Sequence, residues 1–252
     1  MKSQKARRVT LGRLKPGVNA ASLAETLRER ILGGEFGEGA VLPPERDLVD
    51  KTGLGRGSVR EALRVLEAEG LIRTKTGRNG GTFTTLPDES DLTRFVSVFV
   101  RGRRVPVRAL IEARVAIESS LAYYAALNRE PADIEALERT SAELEATPDG
   151  PHFARRNLAW HYCIATASRN ELLVAFLASI SSAIARESLA HARAFEADSA
   201  GEIRAAVTRA HRAITDAVVK GDAEAAKRRM ERHLRAYADS AGAAEIEHIE
   251  IS

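Results

Sequence analysis

"GLGRGSVREALRVLEAEGLI", residues 53–72, carries two stripes at one period. Arg56, Arg60 and Arg64 stand four apart, and Val59, Ala62, Leu63 and Leu66 fall on a neighbouring face. Residues three and four apart share one side of an α-helix. The spacing therefore predicts a helix that begins near Arg56 or Gly57, runs to Glu69 and stops at Gly70, with guanidinium groups held over an apolar base.

The flanks decide what such a helix is for. Upstream, Leu23, Leu27 and Ile31 predict a first helix, with Ser22 and Glu25 at capping-box spacing and Gly33 and Gly34 as its end. A second is predicted from Pro43 and Pro44 through Val49 to Thr52 and Gly53. Downstream, "LIRTKTGRNGGTFTT" (71–85) changes period and places two β-favouring runs around a glycine-rich tip, the mark of a hairpin. Three helices and a hairpin over residues 20–85 predict a winged helix-turn-helix. In that arrangement the second helix of the motif enters the DNA major groove by its N-terminal residues. Arg56 and Arg60 then lie near base edges, where an arginine fork reaches guanine O6 and N7 together, and Ser58 offers a hydroxyl to a phosphate. A lone arginine stripe would more simply be a solvated face paired with Glu61 and Glu67. The preceding helix, the turn and the hairpin favour the DNA reading.

Charge distribution agrees. Up to residue 85 there are 16 Lys and Arg against 10 Asp and Glu, and beyond it 22 against 25, so the basic end is the end to ask about nucleic acid. Residues 1–19 form a basic arm without an acidic residue, and "LPDES" (86–90) reads as a linker. With a single cysteine, Cys163, a disulfide framework and a thiolate metal cluster are both excluded, which fits a cytoplasmic protein. The longest apolar stretch, Leu172 to Ala185, is too short and too interrupted by serines to cross a bilayer. No secretory signal is visible.

"LPPERDLVDKTGLGRGSVREALRVLEAEGLI" followed by "GRNGGTF" resembles the DNA-binding domain of GntR-family bacterial transcription regulators, over about residues 20–85. The resemblance implies that Arg46, Arg56 and Arg60 contact operator DNA, that Ser58 contacts a phosphate, and that Gly80 lies at a wing tip approaching the minor groove. Gly57 stands where the family usually carries Ser or Thr, which removes one phosphate contact.

Residues 91–240 read as all-helical, with helices over 91–101, 107–127, 131–146, 152–168, 170–193, 200–220 and 222–240, and residues 241–252 as a tail. Three of the six histidines fall on apolar faces: His161 beside Leu158, Ile164 and Ala165, His211 beside Val207, Ile214 and Val218, and His233 beside Ala226, Met230 and Tyr237. His211 lies ten residues before Gly221 and His233 twelve after it, so a helical hairpin folded at "KGD" brings both to about the same height, roughly 15–18 Å from the turn at 1.5 Å per residue. Asn157 and His161, four apart, project together from a third helix. Each histidine alone reads as a packed core residue. Together they read as a divalent metal site of Asn157, His161, His211 and His233, suited to Zn²⁺, with Ni²⁺ or Mn²⁺ as alternatives. His152, His191 and His248 read as surface residues. Arg114 can turn inward as a clamp for a carboxylate; its alternative is a surface pair with Glu118.

"NLAWHYCIATASRN", "RAHRAITDAVVKGDAEAAKRRMERHL" and "LIEARVAIE" resemble the all-helical effector domain of the FadR branch of GntR regulators, over about residues 90–240. The resemblance implies a divalent metal in the bundle, held by the three histidines and the residue at position 157, with an organic acid bound beside it. Asn157 departs from the Asp that many relatives carry, so the site has one negative charge fewer.

The whole sequence thus predicts a mainly α protein: an N-terminal winged helix-turn-helix and a C-terminal helical bundle. Its expected function is a homodimeric transcription regulator that binds a pseudo-palindromic double-stranded operator and responds to a small carboxylate effector, with no membrane partner. The residues do not set the sign of the response. Two other readings remain open. A metal-dependent enzyme would turn over candidate acids, and an architectural DNA-binding protein would take up neither metal nor effector.

Overall fold

The computed structural model describes residues 19–77, 80–148, 151–191 and 200–249. The chain is mainly helical, with ten helices and one two-stranded sheet among the described residues, and it divides into two compact units between Asp91 and Leu92. The predicted basic arm falls on residues that lie almost wholly outside the described part.

In the first unit, α1 (Ala20–Leu32), α2 (Glu45–Thr52) and α3 (Arg56–Ala68) precede β1 (Ile72–Lys75) and β2 (Gly81–Thr84). The apolar stripe of α3 is buried as its spacing predicts: Val59, Ala62 and Leu66 are fully withdrawn from water and pack with Leu23, Leu27, Ile31 and Leu48. Full burial of the Val, Leu and Ile side chains among them contributes about 1.5–3 kcal/mol each. Arg28 of α1 closes the package, donating from Nε and Nη2 to the two carboxylate oxygens of Glu69 at 2.9 and 2.6 Å.

The hairpin is antiparallel, with Ile72 opposite Thr84 and Lys75 opposite Gly81, and Val41 adds a bridge to Phe83 on its other edge. Buried Thr84 anchors it: its hydroxyl donates to the Gly37 carbonyl at 2.7 Å and accepts the Ala40 N–H at 2.9 Å. Such a satisfied buried hydroxyl avoids the penalty of an unpaired one.

Two helix starts in the first unit differ from expectation. The capping box of α1 is Asn19 with Ser22, not Ser22 with Glu25: Asn19 Oδ1 accepts the Ser22 N–H and Ser22 Oγ accepts the Asn19 N–H, both at 2.8 Å. Glu25, released from that role, pairs with Arg28. Helix α2 begins at Glu45, with Pro44 outside it as the N-cap residue, because ψ 151° at Pro44 is extended rather than helical.

Helix α4 (Glu89–Arg103) starts inside the stretch read as linker, with Glu89 and Asp91 in its first turn, where the helix dipole favours carboxylates. The second unit continues with α5 (Val107–Asn128), α6 (Pro131–Glu145), α7 (Pro151–Ala167), α8 (Glu171–His191), α9 (Ala200–Lys220) and α10 (Ala223–Ile249). Helix α10 runs nine residues past the expected boundary at 240, since the alanines and glutamates of "AGAAEIE" favour helix despite Gly242. No helix among the described residues is long and apolar enough to cross a membrane.

Helix α5 is central, packing on α7, α8, α9 and α10. Ala122, Ala125 and Ala126 on it are buried among Trp160, Ile164, Ile214, Val218 and Met230, and small residues there let the neighbouring helices approach closely. The turn joining α9 to α10 is set by Gly221 at φ 76°, a conformation that disfavours a side chain. The Gly221 and Asp222 N–H groups return to the Val218 and Ala217 carbonyls at 3.0 and 2.9 Å, and Asp222 Oδ1 accepts the Ala225 N–H at 3.0 Å to start α10. That tight reversal fixes the register of α9 against α10.

Candidate functional site

Each unit carries one candidate site. In the first, Arg46 on α2 and Arg56 and Arg60 on α3 are all exposed, and Ser58 is half-buried in the first turn of α3. Gly55 is the N-cap residue of α3 and supplies no side-chain cap, so the helix opens with free N–H groups between two arginines. Arg60 pairs with neither Glu61 nor Glu67. Its Nε donates to Glu45 Oε2 of α2 at 2.8 Å, while Glu67 accepts the Thr74 N–H at 3.0 Å. Arg46 Nε stands 3.8 Å from Asp47. Both pairs are largely exposed and hold little energy against a phosphate competitor. Gly80 is exposed at the end of the hairpin loop, its N–H bonded to the Gly77 carbonyl at 2.8 Å; a Cβ there would lie 2.5 Å from the Lys75 carbonyl oxygen, so the tight loop requires glycine. Arg78 and Asn79 at the tip lie outside the described residues.

In the second unit the hairpin arithmetic holds. His211 Nε2 and His233 Nε2 are 3.0 Å apart, and one ligand nitrogen from each of His161, His211 and His233 lies within 4.8 Å of the other two. His161 and His211 are buried and His233 half-buried. Trp160 stacks on His211 with ring centroids 3.7 Å apart and planes 9° from parallel. Its own Nε1–H donates to Thr215 Oγ1 at 3.0 Å, and Thr215 shares a second bond with Ser141 at 3.0 Å. This chain ties α7, α9 and α6 together and fixes the plane of the His211 ring. His211 Nδ1 is buried with no hydrogen-bond partner among the described residues.

Arg114 does pair with Glu118, but the pair is not at the surface. Glu118 is 1% exposed, and it accepts from Arg114 Nε through one oxygen and contacts His161 Nδ1 through the other. Burial pushes the Glu118 carboxyl up, but His161 and Arg114 more than offset it and hold it down at about 2. Burial pushes the His233 imidazole down to about 3 and the His211 imidazole lower still; neighbouring His161 and Arg114 act in the same direction on both. His161 is also pushed down by burial, with Glu118 opposing. Near neutral pH the cluster is therefore three uncharged imidazoles beside an internally neutralised arginine, a donor set that suits a borderline divalent cation. Nitrogen ligands at about 2.0–2.1 Å in a tetrahedral set stand about 3.3–3.4 Å from each other, so His211 and His233, now at a hydrogen-bonding 3.0 Å, need to part only slightly to share an ion.

Asn157 lies one turn before His161 on α7 and is half-buried. Leu158, read as part of the apolar face around His161, is 40% exposed, and Tyr237, read as flanking His233, is 46% exposed. His152 is exposed and shares a bond with Arg155, while the His191 and His248 side chains lie outside the described part. Glu118 and Trp160 are the two site residues that the sequence did not single out. A signal for Glu118 existed: with Ile111, Leu121, Ala122 and Ala125 it falls on the apolar stripe of α5, where a lone carboxylate needs a partner.

The family model of the FCD domain matches residues 109–236, and that of the bacterial regulatory proteins, gntR family, matches residues 19–83. The chain is 30% identical over 217 residues to the "Putative L-lactate dehydrogenase operon regulatory protein" of Escherichia coli (strain K12), covering 84% of this chain and 82% of that one. It is 30% identical over 218 residues to the HTH-type transcriptional repressor NanR of Citrobacter rodentium, covering 83% and 80%. Among solved structures it is similar to Streptococcus agalactiae GntR, with a TM-score of 0.62 at 22% identity over 88% of this chain and 99% of that one, a likeness of fold.

Proposed function

Because the chain belongs to the gntR family of bacterial regulatory proteins and carries an FCD domain, we propose that it is a metal-containing, carboxylate-responsive repressor acting in the cytoplasm. Its relatives are transcription regulators rather than enzymes. Two copies bind a pseudo-palindromic operator, each placing α3 in the major groove of one half-site, with half-sites about 34–36 Å apart along the duplex or a multiple of that. Arg56 and Arg60 read base edges, Arg46 and Ser58 hold phosphates, and the Gly80 loop follows the groove beside them.

His161, His211 and His233 hold a divalent cation, with Asn157 as a fourth, neutral ligand, and Zn²⁺ suits the set best, ahead of Ni²⁺ or Mn²⁺. When bound, the metal supplies a Lewis-acidic point for an effector carboxylate, and the Arg114 guanidinium offers its Nη edge to the same anion. The convergence of three uncharged imidazoles carries this reading. Repression is the expected mode because NanR is a repressor, and L-lactate is the first effector to try because the E. coli relative is named for an L-lactate dehydrogenase operon. The effector acts by binding one arrangement of the dimer better than the other, and coupling of about 1–3 kcal/mol gives roughly 5–150-fold control of operator affinity.

The test is a thermal-shift and elemental analysis of the Zn²⁺-loaded protein. About one metal per chain is expected, with a melting temperature lowered by chelator and raised by L-lactate or another small carboxylate only while the metal is present. A protein that takes up no metal and ignores both chelator and carboxylates is instead an architectural DNA-binding protein.

A further inference from the structure

Glu118 joins two groups that act oppositely on a cation. Its Oε2 meets His161 Nδ1 and its Oε1 accepts from Arg114 Nε. All three are withdrawn from water, with side chains 2%, 2% and 12% exposed for Glu118, His161 and Arg114. A carboxylate paired with arginine is ionised and can only accept a hydrogen bond. The proton between Glu118 and His161 therefore sits on His161 Nδ1, which leaves the lone pair on Nε2. A ring held by its outer nitrogen presents the inner one in a single orientation. The same carboxylate offsets the charge of Arg114, which would otherwise repel a cation among the imidazoles.

We propose that Glu118 is the positioning residue of the imidazole cluster: it holds His161 as the Nδ1–H tautomer with Nε2 toward the cation, and it shields that cation from Arg114. This rests on the reading of the cluster as a divalent-cation site. Sequence spacing alone assigns Glu118 only as the i+4 partner of Arg114; its second bond, to a ring of the cluster, gives it the further role.

Removing Glu118 alone strands a buried guanidinium, so the informative proteins are two double variants of the full chain. Arg114→Met/Glu118→Gln keeps a hydrogen-bond acceptor without charge, and Arg114→Met/Glu118→Leu removes the acceptor. Zn²⁺ alone is the probe, its affinity measured by competition with a chromophoric chelator. The Leu variant is expected to bind Zn²⁺ about 10–100-fold more weakly than wild type, and the Gln variant to recover most of that loss. Long-range ¹H–¹⁵N spectra of the metal-free wild type and Gln variant should place the His161 proton on Nδ1. Zn²⁺ affinity of the Leu variant equal to wild type, equal losses in both variants, or an Nε2–H tautomer in the metal-free wild type would each overturn the role. Should the Leu variant not fold, the Gln variant and the tautomer still decide. Failure of the wild type to bind Zn²⁺ overturns the underlying metal reading instead, and is distinguishable because it appears before any substitution.

Discussion

The two units hold their functional charges in opposite ways. The winged head sets Arg46, Arg56 and Arg60 out in water over an apolar core, and the chain has no histidine before residue 152. The bundle withdraws three imidazoles, a carboxylate and a guanidinium wholly or largely from water and sets them against one another, with His211 Nδ1 left without a partner among the described residues. An exposed arginine keeps its charge under any ordinary condition and acts when a polyanion arrives, subject to salt screening. A buried imidazole stays neutral and acts only as part of a set. The head is therefore a collection of separable contacts, whereas the bundle site is a unit whose members fix each other's protonation and orientation.

Acid should separate the two most strongly. The folded-state pKa values of His161, His211 and His233 are all pushed down, to about 3 for His233, against about 6.5 in an unfolded chain. Their contribution to stability is complete above pH 6.5 and is lost as pH falls, because the unfolded chain takes up protons that the folded one refuses. For a group whose folded pKa lies well below the range, as that of His233 does, the loss is about 1.4 kcal/mol per pH unit. Glu118, held down at about 2, keeps its contribution until the pH drops below the ordinary carboxylate range. Between pH 7.5 and 5 the metal-free bundle should thus lose stability, about 2 kcal/mol through His233 alone, while the head stays nearly flat. Calorimetry of the chelator-treated protein across this range reads both transitions; parallel shifts of the two would erase the contrast.

The same contrast governs what could be read from the sequence. The α3 stripe was legible because one surface faces water and the other a core, so period 3.6 appears in both charge and apolarity; Val59, Ala62 and Leu66 are buried where the spacing puts them. The histidines were legible for a related reason, as imidazoles standing among apolar residues, two of them flanking the Gly221 turn. Glu118 was not, because an arginine and a glutamate four apart form a surface pair on most helices, and only the packing of other helices on α5, with His161 of α7 against the carboxylate, buries this one. Leu158 and Tyr237 show the converse: they share a helical face with a site histidine but remain exposed. Boundaries depended on local competition that composition does not resolve, such as Asn19 taking the cap from Ser22.

A substitution at the head should act alone and more moderately. Arg56→Ala removes a fork at the opening of α3 and should weaken operator binding by about 1–3 kcal/mol, roughly 5–150-fold, while relaxing preference at one base position. Zn²⁺ affinity and the acid response of the bundle should not change, since Arg56 belongs to the other compact unit and none of the bonds within the cluster involves it. Binding measured on an operator and on single-base variants of it checks this. A uniform loss across all sequences, with a shallower salt dependence, would reassign Arg56 to a phosphate.

The smallest effect tests whether head contacts can be added as independently as they can be removed. Gly57 is exposed in the first turn of α3, and a Cβ built there meets nothing within 4 Å. Gly57→Ser should stabilise the head by about 0.4 kcal/mol through helix propensity alone. Its hydroxyl lies one residue from Ser58, at the end of the helix that favours anions, and supplies a neutral phosphate donor of about 0.5–1.5 kcal/mol. Operator affinity should rise about two- to tenfold. Because no charge is added, the dependence on salt concentration should keep its slope, which distinguishes a new hydrogen bond from a shift of the nearby arginines toward the backbone. Affinity titrations of the variant at two or more salt concentrations read both quantities. An unchanged affinity despite the expected stabilisation would mean that position 57 does not face the phosphates, and that the first turn of α3 enters the groove rotated from the orientation its arginines require.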